Sequence, residues 1–262
     1  MSDPRWEDLA ARVASGVGLV AVGMAAVWAG GLWFHILIAV ICGLMVWELV
    51  SMLDTARSAS QYILGAAAAA AALIAAEIPP GFALPLLMLP SMLGFARMER
   101  RAATYAVFTA LILLAGYGMM AVRDDFGLVW MAWLVLVVVV TDVAGYFAGR
   151  MIGGPKLWPL VSPKKTWSGT VAGWIGAAVV GILFAKATAA GPGLAGISIA
   201  VSMASQIGDI GESALKRREG VKDSSHLIPG HGGLLDRFDG MLGAALFILI
   251  AGQIVGFPPG VQ

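Results

Sequence analysis

Residues 126–148 read FGLVWMAWLVLVVVVTDVAGYFA, an apolar run broken by one charged side chain, Asp142. A membrane-spanning helix needs about 20 such residues, with a range near 17–25. This stretch is long enough, and its bulky aliphatic side chains leave no polar face to turn toward water. The rest of the chain repeats the pattern. Hydrophobic residues make up 59% of the 262 residues and charged residues only 13%, against about 45–50% and about 25% in a soluble globular protein. Mean hydropathy is +0.85. The composition excludes a soluble enzyme and points to an all-α polytopic integral membrane protein. A formal net charge of +1 argues against nucleic acid as a partner, because such binding rests on bulk positive charge. The single cysteine, Cys42, excludes an internal disulfide and a cysteine zinc cluster, and its apolar neighbours make it a buried small hydrophobe.

Reading outward for similar runs gives about nine spans, near 13–30, 32–53, 62–78, 81–96, 102–122, 126–148, 171–188, 193–211 and 240–256. Gly30 and Gly31 separate the first two, which predicts a tight hairpin. The alanine run at 66–72 permits close helix packing. Pro79, Pro80, Pro85 and Pro90 predict a kink in the fourth span. The first dozen residues mix Asp3, Glu7 and Asp8 with Arg5 and Arg12, the wrong flank for a cleavable signal. They are expected to form a short amphipathic stretch on the membrane surface, with Trp6 at the interface. With the N-terminus cytoplasmic, only Arg123 and Lys186 of the 17 Lys and Arg fall in outside connections. That asymmetry follows the positive-inside rule, and a wrong span count would scramble it. The C-terminus is then expected outside, and the membrane is expected to be a bacterial-type inner membrane.

Chemistry is distributed unevenly along this frame. The spans of residues 1–125 are joined by short connections without notable motifs, and Glu48 is the main acid among them. Residues 126–262 carry the polar clusters, in Asp142 and in cytoplasmic loops at 149–170 and 212–239. Asp209, Glu212 and Ser213 lie at i, i+3 and i+4, so a helix places them on one face, and they close an apolar span where ionisable groups are costly. Asp236 and Asp239 repeat the i, i+3 spacing. Two carboxylate pairs flanking one loop suit a hard cation, and oxygen ligands without Cys suit magnesium better than zinc. Salt bridges to nearby Lys and Arg are the plain structural alternative.

Between the pairs runs KRREGVKDSSHLIPGHGG, residues 216–233. Glycine-flanked turns let backbone amides approach phosphate oxygens, and Lys216, Arg217, Arg218 and Lys222 neutralise phosphate charge. His231 is read as a phosphate donor, a general acid or a turn residue, the first being favoured. The 150–170 loop contains SPKKTWSG at 162–169. Ser162 and Pro163 are expected to start a turn. Lys164, Lys165 and Thr166 are candidates for holding a nucleotide phosphate, and Trp167 is expected in the headgroup belt.

At these residues the chain resembles the phosphatidate cytidylyltransferase (CDP-diacylglycerol synthase) family. The family signature runs S-x-[apolar]-K-R-x4-K-D-x-[small]-x2-[apolar]-[P/G]-x-H-G-G-x2-D-R-x-D. Ser213, Leu215, Lys216, Arg217, Lys222, Asp223, Ser225, Ile228, Pro229, His231, Gly232, Gly233, Asp236, Arg237 and Asp239 stand in register with it. A chance match at about a dozen such positions is negligible at ordinary residue frequencies. Gln206, Gly208, Asp209, Glu212 and Ser213 upstream, the S-P-K-K-T stretch, and Asp142 followed by Gly145, Tyr146, Phe147, Gly149 and Arg150 also resemble the family. The detailed likeness covers roughly 142–240, and the N-terminal half is similar only as a bundle of spans. Ser168 and Gly240 depart from the pattern, where members often carry an acid and a serine.

The resemblance implies transfer of a cytidylyl group from CTP to phosphatidic acid, giving CDP-diacylglycerol and pyrophosphate for phospholipid synthesis. Asp209 and Asp236 are then the leading metal ligands, with Asp239 and Asp142 as further ones, for Mg2+ and for a second, monovalent cation such as K+ if one shares the site. Lys222, His231 and Arg237 join Asp209 and Asp236 as catalytic candidates. Lys164, Lys165, Thr166, Ser213, Lys216, Arg217, Gly232 and Gly233 are substrate-binding candidates, with Glu212 in support. The family likeness also suggests a homodimer. A CTP-dependent polyprenol kinase, releasing CDP, is the alternative enzyme. A transporter would spread its polar groups to mid-membrane depth, and no inverted repeat supports one.

Overall fold

The computed structural model describes residues 4–54, 59–228 and 232–259, and the side chains of these except residues 4–15 and 253. Among the described residues there is one helix at each expected span: α1 Pro4–Ala29, α2 Gly31–Leu53, α3 Ser60–Ala76, α4 Pro80–Arg97, α5 Ala102–Phe126, α6 Leu128–Met151, α7 Trp167–Ala187, α8 Gly193–Arg218 and α9 Leu235–Val255. Five of them, α2, α5, α6, α7 and α8, are long and apolar enough to cross a membrane. The protein is an all-α multi-pass membrane protein. One detail differs from expectation. Helix α1 starts at Pro4, so the expected surface stretch runs into the first span without a break, and the interfacial position expected of Trp6 lies outside the described side chains. Helix α4 runs as one helix through Pro85 and Pro90, with Pro79 and Pro80 at its start, where a missing N–H costs nothing.

The chain divides into two compact units, Met1–Asp124 with Glu219–Phe238, and Asp125–Arg218 with Asp239–Gln262. The loop expected to belong wholly to the C-terminal region therefore groups, over most of its length, with the N-terminal helices.

In the first unit, small residues set the helix packing. A Cβ on Gly43 of α2 would lie 2.8 Å from the Gly65 carbonyl oxygen of α3, and one on Gly65 would lie 2.9 Å from that of Gly43. The two backbones touch there, and Ala68, Ala71, Ala72 and Ala75 continue the seam fully or almost fully buried. Cys42 is buried and contacts the Ile112 carbonyl at 3.8 Å, as a small core residue does. At the α1–α2 turn the Arg123 Nε donates to Val27 O (2.7 Å) and its terminal nitrogen to Trp28 O (3.2 Å). A cation thus meets the last carbonyls of α1, which have no intrahelical donors. Gly30 has φ +65°, and a Cβ there would stand 2.5 Å from that guanidinium.

His35 ties three helix ends together in the same unit. Its Nδ1 lies 2.9 Å from Glu77 Oε1 and its Nε2 lies 2.7 Å from Asp124 Oδ2. The ring is buried, whereas both carboxylates reach solvent. Replacing His35 by Leu is expected to lower the melting temperature in detergent, at a loss of about 2 kcal/mol of charge-assisted hydrogen bonding. An unchanged melt would show that the clasp contributes nothing.

In the second unit, α6, α7 and α8 share a polar seam inside an apolar bundle. Trp133 Nε1 donates to Ser198 Oγ (3.1 Å), Thr141 Oγ1 to Ser202 Oγ (2.8 Å) and Trp174 Nε1 to Gln206 Oε1 (2.9 Å). Each pair satisfies buried polar atoms that hydrocarbon cannot. One element was not expected. The 150–170 loop contains an antiparallel hairpin, β1 Lys156–Trp158 and β2 Ser162–Thr166. Ser162 and Pro163 therefore open a strand and do not start a turn. The strands are too short for a period-two pattern to show.

Candidate functional site

The second unit gathers three of the expected ligand carboxylates. Asp209 sits on α8, Asp142 on α6 and Asp239 in the first turns of α9. Asp142 and Asp239 each lie within charge–charge range of Asp209, and Asp239 also senses Asp142. Three like charges on three helices repel unless cations offset them. Two do so here. The Lys165 ammonium, delivered by β2, pairs with Asp209 Oδ2, and Lys216 acts on Asp239 while also binding Glu212 Oε2 one helical turn away (2.5 Å). Ser213 Oγ donates to Asp209 Oδ1 (3.3 Å), and the Gly240 amide donates to Asp239 Oδ1 (2.7 Å). Among the described residues no three His, Cys, Asp or Glu side chains stand at metal-ligating distance. The donor set nonetheless fits a hard divalent cation in kind: carboxylate oxygens only, negatively charged, with a lysine ammonium in contact with one of them.

Glycines allow this gathering. A Cβ on Gly208 would come 2.3 Å from the Asp239 carbonyl oxygen, and one on Gly243 would come 2.1 Å from the Ala204 carbonyl oxygen. Helices α8 and α9 therefore meet backbone to backbone one residue before Asp209. Gln206 serves packing, since its Nε2 also donates to Thr170 O (3.2 Å).

Thr166, a substrate-binding candidate, stands at the start of α7. It is buried and caps α7, its Oγ1 accepting from the Gly169 amide (3.2 Å), the N-cap geometry that threonine favours. The departure residue Ser168 sits beside it, 3.0 Å from Thr166 Oγ1, and donates to Gly153 O (2.5 Å). Lys164 is exposed beside Lys165 on the hairpin.

In the first unit, the loop from Glu219 is held by a separate network. Arg101 Nε meets Glu219 Oε1 at 3.2 Å. Ile228 N donates to Gly232 O (2.9 Å). His231 lies outside the described residues. Gly232 has φ +83°, a conformation that glycine adopts without strain. Asp236 Oδ2 accepts from Gly233 N (2.8 Å), Ser224 N (2.9 Å) and Ser224 Oγ (3.0 Å). It thus organises the loop's own backbone, at the N-terminus of α9 where a negative charge is favoured. Lys222 and Arg237 are exposed, and so is Arg217 in the other unit.

The residue missed from sequence is Glu48. It is fully buried in α2, and its carboxylate accepts hydrogen bonds only from the loop 224–235 among the described residues. An acid inside an apolar span with no cation nearby in sequence was the available signal.

Apolar helices that carry grouped carboxylates and lysines in one unit, and a glycine-rich basic loop in the other, define a membrane protein with ionisable groups built among its apolar helices. Residues 10–255 match the model of the cytidylyltransferase family, and the chain belongs to that family. It is 46% identical over 156 residues to a phosphatidate cytidylyltransferase of Brucella suis biovar 1, covering 59% of this chain and 56% of that protein. Proteins of the same name from Helicobacter pylori and Bacillus subtilis are 39% and 42% identical, over 50% and 45% of this chain and 49% and 45% of theirs. The chain thus spans about half the length of the curated relatives it matches.

Proposed function

We propose that this protein transfers the cytidylyl group of CTP to phosphatidic acid, giving CDP-diacylglycerol and pyrophosphate, with its polar site at the cytoplasmic face of a bacterial inner membrane. The observation that carries the reading is the gathering of Asp142, Asp209 and Asp239 under Lys165 and Lys216 in a member of the cytidylyltransferase family.

The chemistry suits these residues. The attacking group is a lipid phosphate oxygen, already anionic at neutral pH because the second phosphate pKa is about 6. A strong general base is not needed. The barrier lies in bringing two polyanions together, since two unit charges 4 Å apart repel by about 4 kcal/mol at an effective dielectric of about 20. Lys164, Lys165, Lys216, Arg217, Lys222 and Arg237, with His231, offset that repulsion and orient the phosphates for in-line attack at the α-phosphorus. Gly232 lets the loop backbone approach phosphate oxygens, and Gly233, whose amide binds Asp236, supports the substrate-binding loop from within. Asp142, Asp209 and Asp239 would hold the divalent cation, magnesium by the hardness of its oxygen donors, and Asp236 keeps as a proposal the ligand role that the family likeness gives it. When bound, such an ion neutralises phosphate charge and stabilises the leaving pyrophosphate. The lipid enters sideways from the inner leaflet, because extracting its tails costs about 0.8 kcal/mol per CH2. The nine-span topology with its amino end inside, and a homodimeric assembly, belong to the same proposal.

Purified protein in detergent micelles with phosphatidic acid and labelled CTP tests it. Label from the cytidine should enter the lipid and label from the γ-phosphate should not. The reverse pattern would identify a CTP-dependent lipid kinase and reject the proposal.

A further inference from the structure

Glu48 lies within α2, in the sequence VWELVS at 46–51, with no exposure to solvent. A carboxylate there must find donors. It finds four. Oε1 accepts from Ser225 Oγ (2.6 Å) and from the Leu234 amide (2.9 Å). Oε2 accepts from Ser224 Oγ (3.1 Å) and from the Leu235 amide (2.8 Å). All four come from two short stretches of one loop, 176 or more positions along the chain. Leu235 opens α9 and Leu234 immediately precedes it, so two amides at the helix start, without intrahelical partners, are capped by a side chain from α2.

The loop between these stretches carries the signature residues Gly232 and Gly233, and Lys222, Asp223 and Asp236 flank it. Ser224 links the two carboxylates. Its Oγ lies 3.1 Å from Glu48 Oε2 and 3.0 Å from Asp236 Oδ2, so the two carboxylates share its single hydroxyl proton, and its amide donates to Asp236. Gly233 has room for no side chain, since a Cβ would stand 2.0 Å from Ser224 Oγ and 2.6 Å from Glu48 Oε1. The glycine in the signature is therefore what lets the buried carboxylate reach the loop.

We propose that Glu48 is a positioning residue, which holds the ends of loop 224–235 on α2 and, through Ser224 and Gly233, sets the carboxylate of Asp236 for the transfer reaction. The inference rests on the function proposed above for its catalytic consequence, and on geometry alone for the anchoring. In Glu48→Gln the shape is kept, but whichever oxygen is replaced, the NH2 group must face one backbone amide and one serine hydroxyl. Backbone amides cannot turn away, so one end of the loop is released.

The test uses the full chain in detergent, with two readouts. Hydrogen exchange of the peptide containing Leu234 and Leu235 should rise about tenfold in Glu48→Gln, while exchange in α6 stays at the wild-type rate. Turnover should fall about 30-fold, with KM for phosphatidic acid within about twofold and an essentially unchanged melting temperature, because small misplacements of a reacting constellation act on kcat. Wild-type exchange in the loop overturns the anchoring, and raised exchange with wild-type kcat overturns the catalytic consequence. If the wild-type protein moves no cytidylyl label, the function proposal fails, yet the exchange readout still decides the anchor. Should Glu48→Gln fail to fold, Ser225→Ala decides. It removes the shortest of the four contacts, and about threefold faster exchange with slower turnover is expected. No change in either would overturn the proposal.

Discussion

Asp209→Asn should lower the rate of cytidylyl transfer by about 10²–10³-fold, equivalent to about 2.7–4 kcal/mol of lost electrostatic stabilisation. The substitution is nearly isosteric. Asparagine can still accept from Ser213 Oγ, which now binds Asp209 Oδ1 at 3.3 Å, so the helix and its local hydrogen bond survive. What disappears is the negative charge that Asp142 and Asp239 both feel and that Lys165 pairs with. Removing one of three mutually repelling carboxylates relieves strain in the resting protein. The melting temperature should accordingly hold or rise while activity collapses. Turnover measured across a magnesium titration separates the outcomes. Near wild-type rates with an unchanged metal dependence would remove Asp209 from the proposed ligand set.

Gly243→Val should be the most damaging change to the fold of the second unit. A Cβ at this position would stand 2.1 Å from the Ala204 carbonyl oxygen and 3.1 Å from the Gly208 amide nitrogen. Both are backbone atoms of α8 and cannot rotate away, so the helices must separate. Overpacking costs about 1–3 kcal/mol in ordinary cores, and more where backbone must move. Separation also carries Asp239 away from Asp209, so activity should fall by at least about tenfold in whatever protein accumulates. Gly196→Ala, on the facing helix α8, is the control. Nothing lies within 4 Å of a Cβ there, and alanine favours helix over glycine by about 1 kcal/mol. It should be neutral or slightly stabilising. Equal melts for the two variants would contradict the close approach of α8 and α9.

The helices were legible because hydropathy is a local sum. Each span from 13–30 to 240–256 corresponds to one helix, with boundaries displaced where polar residues extend it. Helix α8 continues past 211 to Arg218, since Glu212 and Lys216 pair one turn apart and three cations close its C-terminus. The hairpin at 156–166 was not legible, because three- and five-residue strands leave no periodicity to read. At Thr166 the sequence suggested only a phosphate contact, and the cap it provides became visible with the start of α7 one residue later.

The acids show the divide most clearly. Their spacing along the chain placed Asp209, Glu212 and Ser213 on one helical face, and the signature singled out Asp236 and Asp239. Spacing said nothing of Glu48, a lone acid in a run of aliphatic side chains. Periodicity reports on neighbours three or four positions apart, which is why span number, helix faces and the polar clusters can be read from residue order. The bonds from Glu48 to Leu234 and Leu235 join residues 186 and 187 positions apart. No local pattern encodes such a pairing, so only the packed chain reveals which buried charge meets which open helix end.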